Sequence, residues 1–298
     1  MVYHIPALLK ESIDGLNIRP EGIYVDVTFG GGGHSMEILK RLKTGRLIAF
    51  DQDEDAVINT PADENFLFLN QNFRFLRNNL RFNNIQSIDG LIADLGVSFH
   101  QFDEPGRGFT FRQDAPLDMR MNKKGTVTAA HLLNTMDETS LADIFYRYGE
   151  LTNSRRIAAE IVRARTAKPF ATVNDIMNAV GKLAPFRQEH KFYARLFQSL
   201  RIAVNHEIDY LQEMLEQALS LLNSGGRLVV ISYHSLEDRL VKNFMKTGNF
   251  TGEEQKDFYG NIETPFRIIN RKGTTPDDKE VAINNRARSA RLRIAEKI

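Results

Sequence analysis

Short apolar runs of strand length alternate with helix-like stretches through the first hundred residues, and then the alternation stops. IYVDVTF (23–29) is rich in β-branched and aromatic residues, and RLIAF (46–50), a run starting FLFL (66–69) and GLIADL (90–95) are short apolar runs of strand length. Between them, 35–42, 53–59 and 73–82 carry the helical period, with Phe73, Leu76 and Leu80 on one face of the last. Strand–helix alternation of this kind predicts parallel β-α-β units and an open α/β sheet. The next convincing strand, RLVVIS (227–232), comes roughly 130 positions after Asp94, far beyond an ordinary crossover. Helical patterns fill the gap, at 129–136, 140–148, 154–165, 173–180 and a long stretch over 191–222. The economical reading is an all-helical domain inserted into a doubly wound sheet. The sheet domain then covers 1–104 and 207–298, and the insertion 105–206. Gly225-Gly226 reads as the helix stop before the sheet resumes, and 248–278 as a long loop with a strand or two.

DVTFGGGGHS (26–35) follows one strand directly and opens a helix. Glycines there let the backbone approach a ligand, and helix N-terminal amides offer donors. A dinucleotide fingerprint requires glycine in its sixth place, which falls here on Ser35 or Met36; a P-loop ends in Gly-Lys-Ser/Thr, whereas these glycines run into His34. Both fail. Asp26 ahead of the glycines and Asp51 after the next strand suit a ligand with ribose hydroxyls and a charged amino-acid tail. S-adenosyl-L-methionine has both, with Asp51 able to accept from the two hydroxyls. His34 either joins this site or caps the helix. Asp94 ends a strand where open sheets place ligands, or is a buried structural acid.

The chain has no cysteine, which excludes disulfides, thiolate metal sites and cysteine nucleophiles. No His/Asp/Glu spacing of the HExxH kind occurs, so no metal is expected. The first residues have neither the basic nor the apolar region of a signal peptide, and no apolar run is of membrane length, so the expected compartment is cytoplasmic. A net charge of +1 decides nothing about partners, but its distribution is uneven. Arg155, Arg156, Arg163, Arg165 and Lys168 face one acid, Glu160, and Arg286, Arg288, Arg291, Arg293 and Lys297 face Glu296. Such runs are either solvated faces or phosphate contacts, and the second can also be strand residues paired with acids.

TFGGGGHS, AFDQD, IADLGVS, RGFTFRQDAPLDMRMN, LFQSLRIAVNHEI, GGRLVVISYHSLEDR and NNRARSARLR resemble, in order, signature segments of the MraW (RsmH) family. These are bacterial small-subunit ribosomal RNA cytosine-N4 methyltransferases, and the resemblance runs from about residue 5 to residue 294. It implies a class I, Rossmann-like S-adenosylmethionine methyltransferase sheet with a helical substrate-recognition insertion. It implies cofactor contacts from Gly32, Gly33, His34, Asp51, Phe73, Asp94 and Gln101; from the residues alone Phe73 reads as helix core. The implied substrate is a cytidine in the decoding centre, near the P site, of 16S rRNA in an assembled small subunit. Many amino-group methyltransferases carry two prolines and an aromatic residue after the fourth strand, where this chain has DLGVS, so their geometry does not transfer.

Transfer to an exocyclic amine then needs alignment and an acceptor for the amino protons. Asp94 is the candidate acceptor, Tyr233 can stack on the base, and His234 can take the released proton or merely organise its turn. Arg107, Arg112, Arg120, Arg155, Arg156, Arg286 and Arg288 are the candidate RNA contacts. The rival readings are a methyltransferase for another nucleic-acid amino group, an RNA-binding assembly factor with a relic pocket, and a nicotinamide dehydrogenase.

Overall fold

The computed structural model describes residues 6–256, 258–260 and 264–298, so residue 5, where the family resemblance starts, lies outside the described residues. Two compact units result. The first takes in the chain up to Gly96 together with Ile208–Ile298, and the second is Val97–Glu207.

The first unit is built on seven strands: β1 Ile23–Asp26, β2 Arg46–Phe50, β3 Phe66–Leu69, β4 Ile88–Asp94, β5 Leu222–Ser232, β6 Phe266–Ile268 and β7 Arg291–Lys297. Their order is β3-β2-β1-β4-β5-β7-β6. β1 to β5 run parallel, and β7 is antiparallel to both of its neighbours. Both faces are covered, which is why these strands read as continuous apolar runs rather than as alternation. Val25, Ile48, Leu91 and Val230 point to one side, against Leu76, Leu211, Met214 and Phe244 from the flanking helices. Their neighbours Tyr24, Leu47, Ile92 and Val229 point to the other, against Ile13, Leu16 and Ile38. Strand order reverses between β1 and β4, so their carboxyl ends open a crevice of the kind in which doubly wound sheets bind ligands.

Two local expectations change. The helical stretch over 191–222 is two helices, Glu189–Asn205 and Glu207–Leu221, broken at His206 by a left-handed residue (φ 51°). The second helix ends at Leu221 without glycine. Gly225 and Gly226 lie instead within β5, where the ladder to β4 steps from Leu222↔Ile88 to Arg227↔Gly90. Gly225 has φ +78°, and a Cβ on Gly226 would meet the Asn223 carbonyl at 2.8 Å. The glycines therefore serve a bulge, not a helix stop.

The second unit is helical. Ala129–Thr135, Glu138–Arg147, Ser154–Ala167, Val173–Val180 and Glu189–Asn205 enclose Leu133, Leu141, Phe145, Ile157, Ile161, Ile176, Leu196 and Leu200. In Ser154–Ala167 the buried positions Ile157, Ala158 and Ile161 follow the helical period and leave Arg155 and Arg156 exposed. The unit starts at Val97, ahead of the boundary expected at 105, because Val97 and Phe102 pack against this core. Among the described residues no helix is long and apolar enough to cross a membrane.

Candidate active site

Three acids stand at the carboxyl ends of adjacent parallel strands: Asp26 closes β1, Asp51 follows β2 and Asp94 closes β4. Asp26 is buried, with Oδ1 accepting from Thr28 N at 3.0 Å and Oδ2 from Ser35 Oγ at 2.7 Å. It thereby ties the end of β1 to the helix Gly33–Leu39 across the glycine loop. Asp51 Oδ2 accepts from Gly30 N at 2.7 Å and Oδ1 from Asp53 N at 2.8 Å. Gly32 has φ +78° and donates its amide to the Phe29 carbonyl at 2.7 Å, a turn that L side chains resist. A Cβ on Gly33 would stand 2.2 Å from the Pro6 ring. The loop is thus a tight backbone cradle, and the first amides of the helix it opens have no partner within that helix.

Burial lifts all three carboxyls out of the usual range: Asp26 and Asp51 to about 6, and Asp94 to about 7. Loss of water dominates in each. For Asp94 the Tyr233 hydroxyl pulls back down, while the charges of Asp26 and Glu237 push up. His34 does not compensate. Its ring is buried with Nδ1 3.9 Å from Asp94 Oδ2, and loss of water drags its pKa to about 4, so it is neutral at pH 7. A hydrogen bond with the Ala7 backbone works against that shift. Among the described residues no lysine or arginine pairs with Asp26, Asp51 or Asp94.

Tyr233, directly after β5, donates its hydroxyl to Asp94 Oδ1 at 2.8 Å, so the pairing expected from neither residue alone is made across the sheet. Its own pKa is driven well above 10.0, by burial first and by the Asp94 charge next. His234 occupies the N-cap of the helix Ser235–Thr247, its Nδ1 accepting from Glu237 N at 3.4 Å. This is the turn-organising arrangement. Two residues that sequence reasoning missed complete the picture. Thr28 Oγ1 accepts from Asp94 N at 2.6 Å, and Glu237 takes the Tyr233 amide on Oε2 at 3.0 Å. The signal for Glu237 was its place three residues after a cap, where a carboxylate reaches back to the helix start.

Phe73 begins a short turn after β3, capped by Asn72, and packs half-buried on the sheet core. Gln101 belongs to the second unit, where it is buried and shares a capping box with Ser98. Arg107 is also buried there and donates to the Arg120 and Met121 carbonyls at 2.9 and 3.0 Å. Arg120 chelates Asp118 and donates to the Lys123 and Gly125 carbonyls at 3.0 and 2.6 Å. These two arginines brace the loop that follows Gly108. Arg112, Arg155 and Arg156 are exposed on the same unit, and Arg286 and Arg288 on a short turn before β7 in the first. Of the alternatives for the terminal arginines, pairing with an acid describes Arg293, buried in β7 with its guanidinium forked on Asp238 at 2.6 and 2.9 Å.

A cluster of desolvated acids with no cation of its own, beside a glycine cradle and open helix amides, fits a ligand that brings positive charge, ribose hydroxyls and a carboxylate. S-adenosylmethionine supplies a sulfonium, an ammonium, a ribose and a carboxylate. Strand order 3-2-1-4-5-7-6 with β7 reversed, a glycine loop after β1 and acids after β2 and at the end of β4 together define a class I S-adenosylmethionine-dependent methyltransferase. Within that class the chain belongs to the MraW methylase family, whose description it matches over residues 1–298. It is 56% identical over 296 residues to Ribosomal RNA small subunit methyltransferase H of Bacteroides fragilis, covering 99% of this chain and 97% of the relative. To the protein of the same name from Flavobacterium johnsoniae it is 54% identical over 299 residues, covering 100% and 99%. A solved rRNA methylase from Streptococcus thermophilus is a distant likeness, with 15% identity, a TM-score of 0.45 and coverage of 100% and 99%.

Proposed function

We propose that this methyltransferase moves the S-adenosylmethionine methyl group to N4 of a cytidine in the decoding centre, near the P site, of 16S rRNA in the small ribosomal subunit. The observation that carries the chemistry is the Asp94–Tyr233 pair, an acid with a pKa of about 7 at the end of β4 that is largely withdrawn from solvent yet keeps a partly exposed carboxylate. The rRNA substrate is carried by the names of relatives more than half identical to this chain over nearly their whole length. The bound cofactor supplies an activated methyl group. The protein supplies the rest: Gly32, Gly33 and His34 form the cradle, Asp51 receives the ribose, and Phe73 and Gln101 are further cofactor contacts. Asp94 accepts an amino proton, which makes the nitrogen lone pair available. Tyr233 orients Asp94, and His234 organises its turn by capping the helix Ser235–Thr247.

The target base has to leave its stack to meet such a site, which favours an unpaired or locally opened cytidine. The helical unit is the substrate-recognition element in this reading. Arg112, Arg155, Arg156, Arg286 and Arg288 are the phosphate contacts, since Arg107 and Arg120 are committed to their own loop. The test is transfer from labelled S-adenosylmethionine to unmodified small subunits, followed by digestion to nucleosides. Label in N4-methylcytidine establishes the reading; label in another nucleoside keeps the class and overturns the acceptor. Cofactor binding without any transfer points to a missing partner, the wrong assembly state or a different substrate, whereas no cofactor binding identifies an RNA-binding factor with a relic pocket.

The loop geometry carries its own prediction. Asp51→Ala strips the acceptor from both Gly30 N and Asp53 N and leaves the ribose without a carboxylate. The dissociation constant for S-adenosylmethionine, read by calorimetric titration, should rise by about tenfold or more.

A further inference from the structure

We infer that Glu237 is the positioning residue of the Asp94–Tyr233 pair, its buried carboxylate fixing the Tyr233 backbone so that the phenol meets Asp94. The inference rests on the proposed role of Asp94 as the amino-proton acceptor. Glu237 is 2% exposed, in the first turn of the helix Ser235–Thr247. A first-turn glutamate normally reaches the cap residue from the surface, where its charge stays hydrated. This one is buried and reaches one residue further back. Oε2 accepts the Tyr233 amide at 3.0 Å, while Oε1 lies 3.1 Å from His234 Nε2. Capping alone does not require a buried charge, and burying one is costly unless it is well bonded. What the bonds secure is the backbone at the end of β5. With that peptide held, the Tyr233 ring lies 3.8 Å from the position of a Cβ on Gly96, and its hydroxyl sits on Asp94 Oδ1.

Burial is the main reason Asp94 ionises late, and four groups face it. Tyr233 donates to it from the end of β5, and neutral His34 faces it from the helix after β1. Asp26 at the end of β1 and Glu237 oppose its charge. Glu280, on the helix Asp278–Ile283, acts on the tyrosine instead. Glu237 therefore has two separable effects. Its arm holds Tyr233 in place, which favours the Asp94 carboxylate, and its charge opposes that carboxylate.

The experiment is the pH profile of kcat/KM for methyl transfer to small subunits, followed in whichever nucleoside carries the label. Glu237→Gln keeps an acceptor for the Tyr233 amide and removes the charge. Its acid limb should move to lower pH, raising the ratio of the rate at pH 6 to that at pH 8 by about twofold or more. Tyr233→Phe removes the donor and should move the limb the other way. The Glu237→Gln limb reads the charge, and Glu237→Asp decides the positioning: the charge is kept and the arm shortened, so kcat falls about tenfold or more with KM within about twofold. Parental kcat in folded Glu237→Asp overturns the inference. Label outside N4-methylcytidine would fail the acceptor assignment while these shifts still decide Glu237, and no transfer by the parent would sink both.

Discussion

Asp94→Asn should lower kcat for methyl transfer by about 10²–10⁴-fold, the range that a positioned proton acceptor contributes. The substitution is nearly isosteric. An amide oxygen still accepts from the Tyr233 hydroxyl, and the main-chain bond from Asp94 N to Thr28 Oγ1 is untouched, so the end of β4 keeps its shape. What disappears is a group able to take a proton and a negative charge facing the place where the amine gains positive charge. The pH dependence identifies that loss. Burial raises Asp94 to about 7, so in the parent kcat/KM should climb with pH through neutrality as the acceptor ionises. A bound sulfonium favours the carboxylate, so the limb of kcat should lie below that of kcat/KM. Both limbs vanish in the asparagine variant if Asp94 is the acceptor. Single-turnover transfer at saturating S-adenosylmethionine reads the step directly. A rate within tenfold of the parent, with the limb intact, would hand the proton to another group and leave Asp94 an architectural role.

The parts of this site that were legible in the sequence are those that depend on local order. Asp26, Asp51 and Asp94 could be placed because each ends a strand, and the carboxyl ends of parallel strands converge at the switch point. The strand cores were legible from their length and from their alternation with helical stretches, which together select the strand over a buried helix. What could not be read is non-local. Tyr233 and Asp94 are 139 positions apart, and nothing in SYHSLEDR says that the phenol turns back to β4 rather than outward to a base. Arg293 looked like part of a basic tail because its partner, Asp238, lies 55 positions earlier on a helix. Arg107 and Arg120 looked like surface cations for a similar reason, their acceptors being backbone carbonyls that no pattern advertises. The helix break at His206 also left no trace, since a single left-handed residue other than glycine interrupts no apolar period. β6 has three residues and is too short to carry a period at all. Phe73 and Gln101 entered only through the resemblance to a family, and by their own surroundings one packs on a core and the other caps a helix.

Without cofactor, the protein should lose stability as the pH rises from about 4 to 8, and Asp26→Asn should remove a large part of that loss. Asp26 is raised from 3.8 to about 6, chiefly because it is cut off from water. The proton it holds in the folded state favours folding. That contribution is complete below 3.8 and is lost as the pH passes 6, a change of about 3 kcal/mol for a shift of this size. Asparagine stays neutral throughout and still accepts from Thr28 N, so urea unfolding curves should show the variant gaining on the parent by about half that amount between pH 5 and pH 8. A fold that withdraws three uncompensated acids from water at the carboxyl ends of its central strands is incomplete by itself, and the cofactor brings the missing charge. Its sulfonium and ammonium favour the ionised acids, so saturating S-adenosylmethionine should stabilise the parent more at pH 8 than at pH 5, with proton release on binding near pH 6. In Asp26→Asn both the pH dependence of the ligand's effect and the proton release should shrink. Parallel stability profiles for parent and variant would mean that the bonds from Ser35 and Thr28 already hold Asp26 ionised at low pH. The acids would then be scaffold for the loop, and the charge complement to the cofactor would have to come from Asp51 and Asp94 alone.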